Sequence, residues 1–260
     1  MVCASRALIC FFGNSVFVYS WMIGFAIVDR RNEAEVRCRY NGGAFNSIEM
    51  IMKLLCSKKY KSFNQSDVFS SESILEILIY VVIHNDYSLT RIPEIRIFDD
   101  RIEFEFAGKS LVGFEMYFDS KIPITNHNIV ALIKIFNLYK NEGFGLASVA
   151  IRLEKNHFPP LRFESVASST NITIYSYKEF HKIGRKERVE TCFQHACLRW
   201  SEGEHLTNAS LRKRFGLMID KKTTVSRIIH EAVEANIIRC FDDNVAPKLR
   251  SYVPYWAVDQ

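Results

Sequence analysis

Residues Thr207–Asn236, TNASLRKRFGLMIDKKTTVSRIIHEAVEAN, decide how the chain is read. The stretch predicts two short helices joined by a tight, basic connection. Thr207 or Asn208 can cap the first helix, because either side chain accepts a backbone N–H at a helix start. Leu211 and Phe215 fall at i and i+4, on one face. Gly216 ends that helix where a left-handed residue is needed. Thr223 or Thr224 is expected to cap the second helix. Val225, Ile228, Ile229, Ala232 and Val233 then recur at i, i+3, i+4, i+7 and i+8, an apolar stripe. Ser226, Arg227 and His230 lie on the opposite face. Six basic residues (Arg212, Lys213, Arg214, Lys221, Lys222 and Arg227) stand against one acid, Asp220, between Thr207 and His230. That is the layout of a helix-turn-helix whose second helix enters a DNA groove. A helical pair with a solvated basic face fits the same residues.

Outward from this stretch, Lys186–Trp200 predicts a preceding helix. Ile237–Phe241 and Leu249–Val253 predict two short strands of a hairpin, with Lys248 and Arg250 near its tip. His181–Arg188, HKIGRKER, reads as a basic bridge to whatever comes before. Further back, Phe163–Tyr177 holds a strand at Ile172–Tyr175, and Asn141–Gly145 is a glycine turn. Asn128–Tyr139 is an amphipathic helix with Ile129, Leu132, Ile133 and Phe136 inward. Ile95 and Ile97 alternate before Asp99-Asp100, and Ile102, Phe104 and Phe106 after it, which predicts a hairpin. Ile74–Asn85 is a strong helix that buries Ile74, Leu75, Leu78, Ile79 and Val82. Lys58–Ser71 is a polar loop, and Ser47–Lys58 another helix. Ala7–Val28 is uncharged and about 20 residues long, enough to span a bilayer. Its asparagine, serines and glycines, with a turn at Phe11–Asn14, favour two buried strands over a membrane segment.

The 260 residues suffice for one large or two small domains. A hydrophobic content of 48% and a charged content of 24% are those of an ordinary globular protein. A net charge of +5 permits an acidic partner without demanding one. The seven cysteines are scattered and form no CxxC pair, so reduced thiols in a cytoplasm fit best. Cys192, His195 and Cys197 would spread over more than one helix face, and no metal site is expected there.

Several segments taken together carry a family resemblance. They are Gln194–Leu198, Leu206–Gly216, Ser226–Ile229 and Tyr252–Ala257. They resemble the C-terminal winged helix of a bacterial family of predicted transcriptional regulators. Its members are also described as ATP-binding proteins related to the C-terminal part of RecG-type ATP-dependent DNA helicases. The resemblance covers roughly residues 70–257 well and 7–60 weakly. Full-length members begin with a Schlafen/AlbA-type domain that no stretch here matches, which leads us to expect a fragment or a decayed gene.

Within the same family, Glu76–Tyr87 resembles a pattern E-A-x-x-N-A-x-x-H-R-D-Y. Asp100–Gly108 resembles D-R-I-E-I-x-N-P-G, His127-Asn128 resembles R-N, and Glu142–Gly145 resembles E-x-G-x-G. The resemblance implies an α+β chain in three parts. Residues 1–70 would pack on an ATPase-like α/β sandwich of the histidine kinase/gyrase (GHKL) type, residues 71–180. A winged helix-turn-helix, residues 186–257, would follow. It also implies ATP and Mg²⁺, with Glu76 as the catalytic base and Asp100, Gly108, Gly143 and Gly145 around the nucleotide. Hydrolysis needs a base near the γ-phosphate and a cation to offset its charge. Here Tyr80 stands where an asparagine should hold Mg²⁺, and a phenol is a poor ligand at neutral pH. Phe106-Ala107, Asn85 and His127 are further departures. A degenerate site is therefore expected.

Three readings follow. The first is a DNA-binding regulator, a homodimer being one form it could take. Arg212, Lys213, Arg214, Lys221 and Lys222 would meet phosphates, with Thr224, Ser226, Arg227 and His230 at the second helix. The second is an ATPase acting with nucleic acid through Glu76. The third is a non-enzymatic protein-interaction module.

Overall fold

A computed structural model describes residues 25–31, 36–40, 44–55, 71–89, 91–108, 125–135, 145–242 and 244–257. Strand β1 (Phe25–Asp29) pairs with β2 (Val36–Tyr40), and β3 (Glu94–Ile97) with β4 (Arg101–Ala107). Strand β5 (Arg162–Val166) pairs with β6 (Ser169–Tyr175). All six form one sheet in the order β2-β1-β3-β4-β6-β5. Only β1 and β3 run parallel. Alternation dictates the faces: Ile102, Phe104 and Phe106 of β4 are buried, while Arg101, Glu103 and Glu105 sit half-buried on the other side. Register brings Phe104 opposite both Ile95 and Ile172, so the apolar residues of three strands share one face. The polar face is laced by ion pairs from Arg96 to Glu94, Glu103 and Glu105.

Helices cover the apolar face. They are α1 (Ala44–Leu55), α2 (Ser71–His84), α3 (His127–Ile135) and α4 (Leu146–Lys155). Helix α2 is the hub, packed by α1, α3, α4 and β4. Every residue from Ile77 to Ile83 is at most 4% exposed. The expectation of a single buried face is thereby corrected: a helix apolar all round is enclosed all round. Helix α4 was not expected from the sequence, and it follows directly on Gly145, its N-cap. Strand β5 was likewise unexpected; it reaches β6 through Ala167 at φ 52°. Of Ala7–Val28, only Phe25–Val28 are among the described residues, and they lie in β1. Among the described residues no helix is long and apolar enough to cross a membrane.

The C-terminal unit holds three helices, α5 (Arg185–Ser201), α6 (Asn208–Arg214) and α7 (Lys222–Glu234). A hairpin of β7 (Ile238–Cys240) and β8 (Tyr252–Pro254) completes it. Thr207 caps α6 through a reciprocal box with Ser210. Gly216, at φ 63°, closes it: its N–H donates to Lys213 O and that of Leu217 to Arg212 O. Asn236, at φ 55°, ends α7 in the same way, on Val233 O and Ala232 O. The apolar stripe buries Val225, Ile228, Ile229 and Ala232 against Cys192, Ala196 and Leu211. Each of the valine, isoleucine and leucine side chains contributes about 1.5–3 kcal/mol on full burial.

Two boundaries differ from expectation. A 3-10 turn, Ile219–Lys221, feeds straight into α7, so neither Thr223 nor Thr224 caps it. Strand β8 begins at Tyr252 rather than Leu249, because Pro247 opens a 3-10 turn that leaves Leu249 exposed. Backbone bonds between Leu206 and Tyr252 in both directions add a short third rung to this hairpin.

Candidate functional site

Glu76, the expected catalytic base, is turned into the protein and is 4% exposed. Its carboxylate accepts from Arg152 Nη1 at 2.8 Å and from Ser148 Oγ. Both donors stand one turn apart on α4. Ser148 Oγ also lies 3.1 Å from the Gly145 carbonyl. Ser148 thus stands between Glu76 and Gly145, and a guanidinium matches the Glu76 charge within the protein. One turn along α2, Tyr80 is buried, its ring 4.2 Å from that of His84 and edge-on to Phe106. Burial lowers the His84 imidazole to about 4, so it is neutral at pH 7. A carboxylate held by a guanidinium and a phenol packed among rings do not fit the donor set of a Mg²⁺-bound phosphate chain.

The remaining nucleotide candidates are spread out. Asp100 sits in the β3–β4 turn, half exposed, and accepts from Arg101 at 2.9 Å. Gly108 lies past the other end of β4, eight residues on, about 26 Å away along an extended strand. Its φ of 111° suits glycine and would strain any other residue, and an added Cβ would lie in contact with the His84 carbonyl at 3.4 Å. Around it, Asn85 Oδ1 accepts from Ala107 N and the Gly108 carbonyl accepts from Thr170 Oγ1. Gly108 therefore seats the end of α2 on the end of β4. Gly143 lies outside the described residues. Ser148 and Arg152 were missed by sequence reasoning. The spacing of Leu146, Val149, Ala150 and Leu153 would have found their helix.

The basic residues of the C-terminal unit do not all share one surface. Lys222, Ser226, Arg227 and His230 are exposed along one face of α7, and Thr224 is half-buried beside it. Asn208 clips the two helices together, donating to Lys222 O at 3.0 Å and Ser226 Oγ at 2.9 Å while accepting from Arg212 Nε. Lys221 is exposed, 3.3 Å from Asp220, and His230 is 3.4 Å from Glu234. Arg214 is the correction. It is 5% exposed and turned inward, so it cannot meet a phosphate on the α7 surface.

Residues 91–174 match the family described as "Putative ATP-dependent DNA helicase recG C-terminal". This segment is similar to a RecG-type, ATPase-like domain. It runs from just before β3 almost to the end of β6, about a third of the chain. Among solved structures, the crystal structure of the DIP2311 protein from Corynebacterium diphtheriae aligns with a TM-score of 0.51 at 9% identity. The alignment covers 90% of this chain and 59% of that one, and the likeness speaks to fold alone. The chain thus spans about three fifths of that protein's length. No curated protein matches.

The ATPase-like layer and the C-terminal unit are joined by a buried ion cluster. Glu154, at the end of α4, accepts from His195 Nδ1 at 2.6 Å and from Arg214 Nε. Arg214 also donates to the Phe158 carbonyl, and His157 Nδ1 donates to the Arg214 carbonyl at 2.9 Å. Burial raises the Glu154 carboxyl, but the His195 hydrogen bond and the Arg214 charge outweigh it and hold it below the usual range. The other nitrogen of His195 lies 2.9 Å from Ser210 Oγ, the residue that closes the α6 capping box. Cys192, nearby on α5, is fully buried, and burial pushes its thiol up. Among the described residues no three metal-ligating side chains gather.

Proposed function

We propose that the chain is a DNA-binding regulator, with α5–α7 and the β7–β8 hairpin acting as a winged helix. The observation that carries this is α7. Its inner face is fixed by Val225, Ile228, Ile229 and Ala232, and its outer face presents Lys222, Ser226, Arg227 and His230 to solvent. A helix about 20 Å long with that division suits a major groove. Arg212, Lys221 and Lys222 would contact phosphates, and Ser226, Arg227 and His230 base edges. The similarity of residues 91–174 to a RecG-type domain supports an association with nucleic acid. The ATPase-like layer serves as a scaffold in this reading. Glu76 is already bound by Arg152, which speaks against a hydrolytic role.

The test is binding to duplex DNA across a salt series. Each lost phosphate contact lowers the slope of log affinity against log salt by about 1. Lys221→Ala with Lys222→Ala is expected to lower it by about 2. An unchanged slope, or no binding to duplex even at low salt, would refute the proposal and favour a protein-binding surface.

A further inference from the structure

Between α4 of the ATPase-like layer and helices α5 and α6 lies a cleft of about 480 Å³. That is within the range of small-molecule sites, which favour domain junctions. Its charges are unbalanced. Glu154 is consumed by Arg214 and His195 at the floor. Arg199 is matched by Glu202, which also lines the cleft, and by Glu204. Lys155 and Lys213 also line the cleft, are exposed, and have no acidic partner among the described residues. They project from the last turns of α4 and α6, where helix carbonyls favour cations but do not neutralise them.

We infer that this cleft binds a small ligand carrying a phosphate group, held by Lys155 and Lys213. A phosphate offers both ammonium groups, in one compact anion, the acceptors that no acidic side chain gives them. The site has a route to the surface of the C-terminal unit. Lys213 belongs to α6, and Asn208 at the other end of α6 holds the backbone of α7. A ligand drawing Lys213 toward α4 therefore biases the pose of α6. An effect on DNA affinity through that route rests on the proposed function, but phosphate binding does not.

Inorganic pyrophosphate is titrated into the full chain at constant ionic strength, without DNA, by calorimetry. Saturable binding of one pyrophosphate per chain is expected. The Lys155→Ala/Lys213→Ala pair should weaken it at least tenfold, with the melting temperature of the apo protein unchanged because both side chains are exposed. The Lys221→Ala/Lys222→Ala pair, equal in charge lost, should leave it unchanged. Equal weakening by both pairs would mean that only net charge attracts the anion, and would overturn the assignment. So would the absence of saturable binding. If pyrophosphate fails but the Lys155/Lys213 pair weakens duplex binding, the cleft belongs to the DNA surface and the ligand site is refuted. Failure of duplex binding alone would sink the proposed function and leave the pyrophosphate result standing.

Discussion

Helices α2 and α7 are of similar length, 14 and 13 residues, and they make opposite use of their polar side chains. On α2, Glu76, Tyr80 and His84 point at neighbours: Arg152 and Ser148, an imidazole, a threonine hydroxyl. On α7, Lys222 and Arg227 point at solvent, and Ser226 and His230 stay exposed beside Asn208 and Glu234. The same helical periodicity that would array groups toward a ligand has, in α2, been filled by protein atoms. The lesson is that spacing reports which residues share a face, not whether that face is open. Openness depends on what the rest of the chain packs against it.

The sharpest way to break this comparison is to remove a polar group from each kind of place. Arg214→Ala should cost the most, about 3 kcal/mol in urea unfolding, because it leaves the Glu154 carboxylate in the junction with His195 as its remaining partner. A loss under about 1 kcal/mol would mean that Arg214 behaves as a surface residue after all. Next, Arg152→Ala should lower stability by about 2 kcal/mol by depriving Glu76 of its charged donor, and adding Glu76→Gln should recover part of the loss. Neither the wild type nor Glu76→Gln should turn over Mg-ATP. Turnover abolished by Glu76→Gln would reinstate the catalytic reading of α2.

His84 gives a pH test of similar size. Its folded value of about 4 lies below the ordinary 6.5, so the unfolded chain takes a proton that the folded chain resists. The contribution is whole above about pH 6.5 and is lost as pH falls toward 4. On the order of 2 kcal/mol is expected across that window, moderated by the partial exposure of the ring. His84→Gln should flatten the slope of stability against pH there. An unaltered slope would mean that the ring is freely protonated in the fold. Smallest in stability is Arg227→Ala, within about 0.5 kcal/mol. It should nonetheless cost about 1 kcal/mol or more of discrimination between specific and non-specific DNA. Equal losses on both would move Arg227 from base edges to phosphates.

Local chemistry was readable where local chemistry decides. The α7 stripe, the Gly216 stop, the Thr207 cap and the alternation of β3 and β4 all appear where the residues place them. Each depends on neighbours within a few positions. What escaped depends on distance along the chain. Arg214 sits in a run of three basic residues, and Glu154 and the Phe158 carbonyl, 60 and 56 residues earlier, turn it inward. Glu76 reads as a catalytic base until Arg152, 76 residues later, is laid across it. The parallel pairing of β1 with β3 likewise joins segments whose sequences say nothing of each other. Asp100 and Gly108 belong to one motif in sequence, yet a full strand keeps them apart.

The Glu154 cluster bears on how the chain can be divided. Its anion comes from the layer built on the sheet, and its cation and imidazole come from the helical unit. If the two units part after a cut between Tyr177 and Gly184, the acid is separated from its bases and the junction opens to water. Neither half is then a faithful sample of the whole, and heating the intact chain should give one calorimetric transition rather than two. Rearranging these two units in evolution would have meant replacing the acid and the base together.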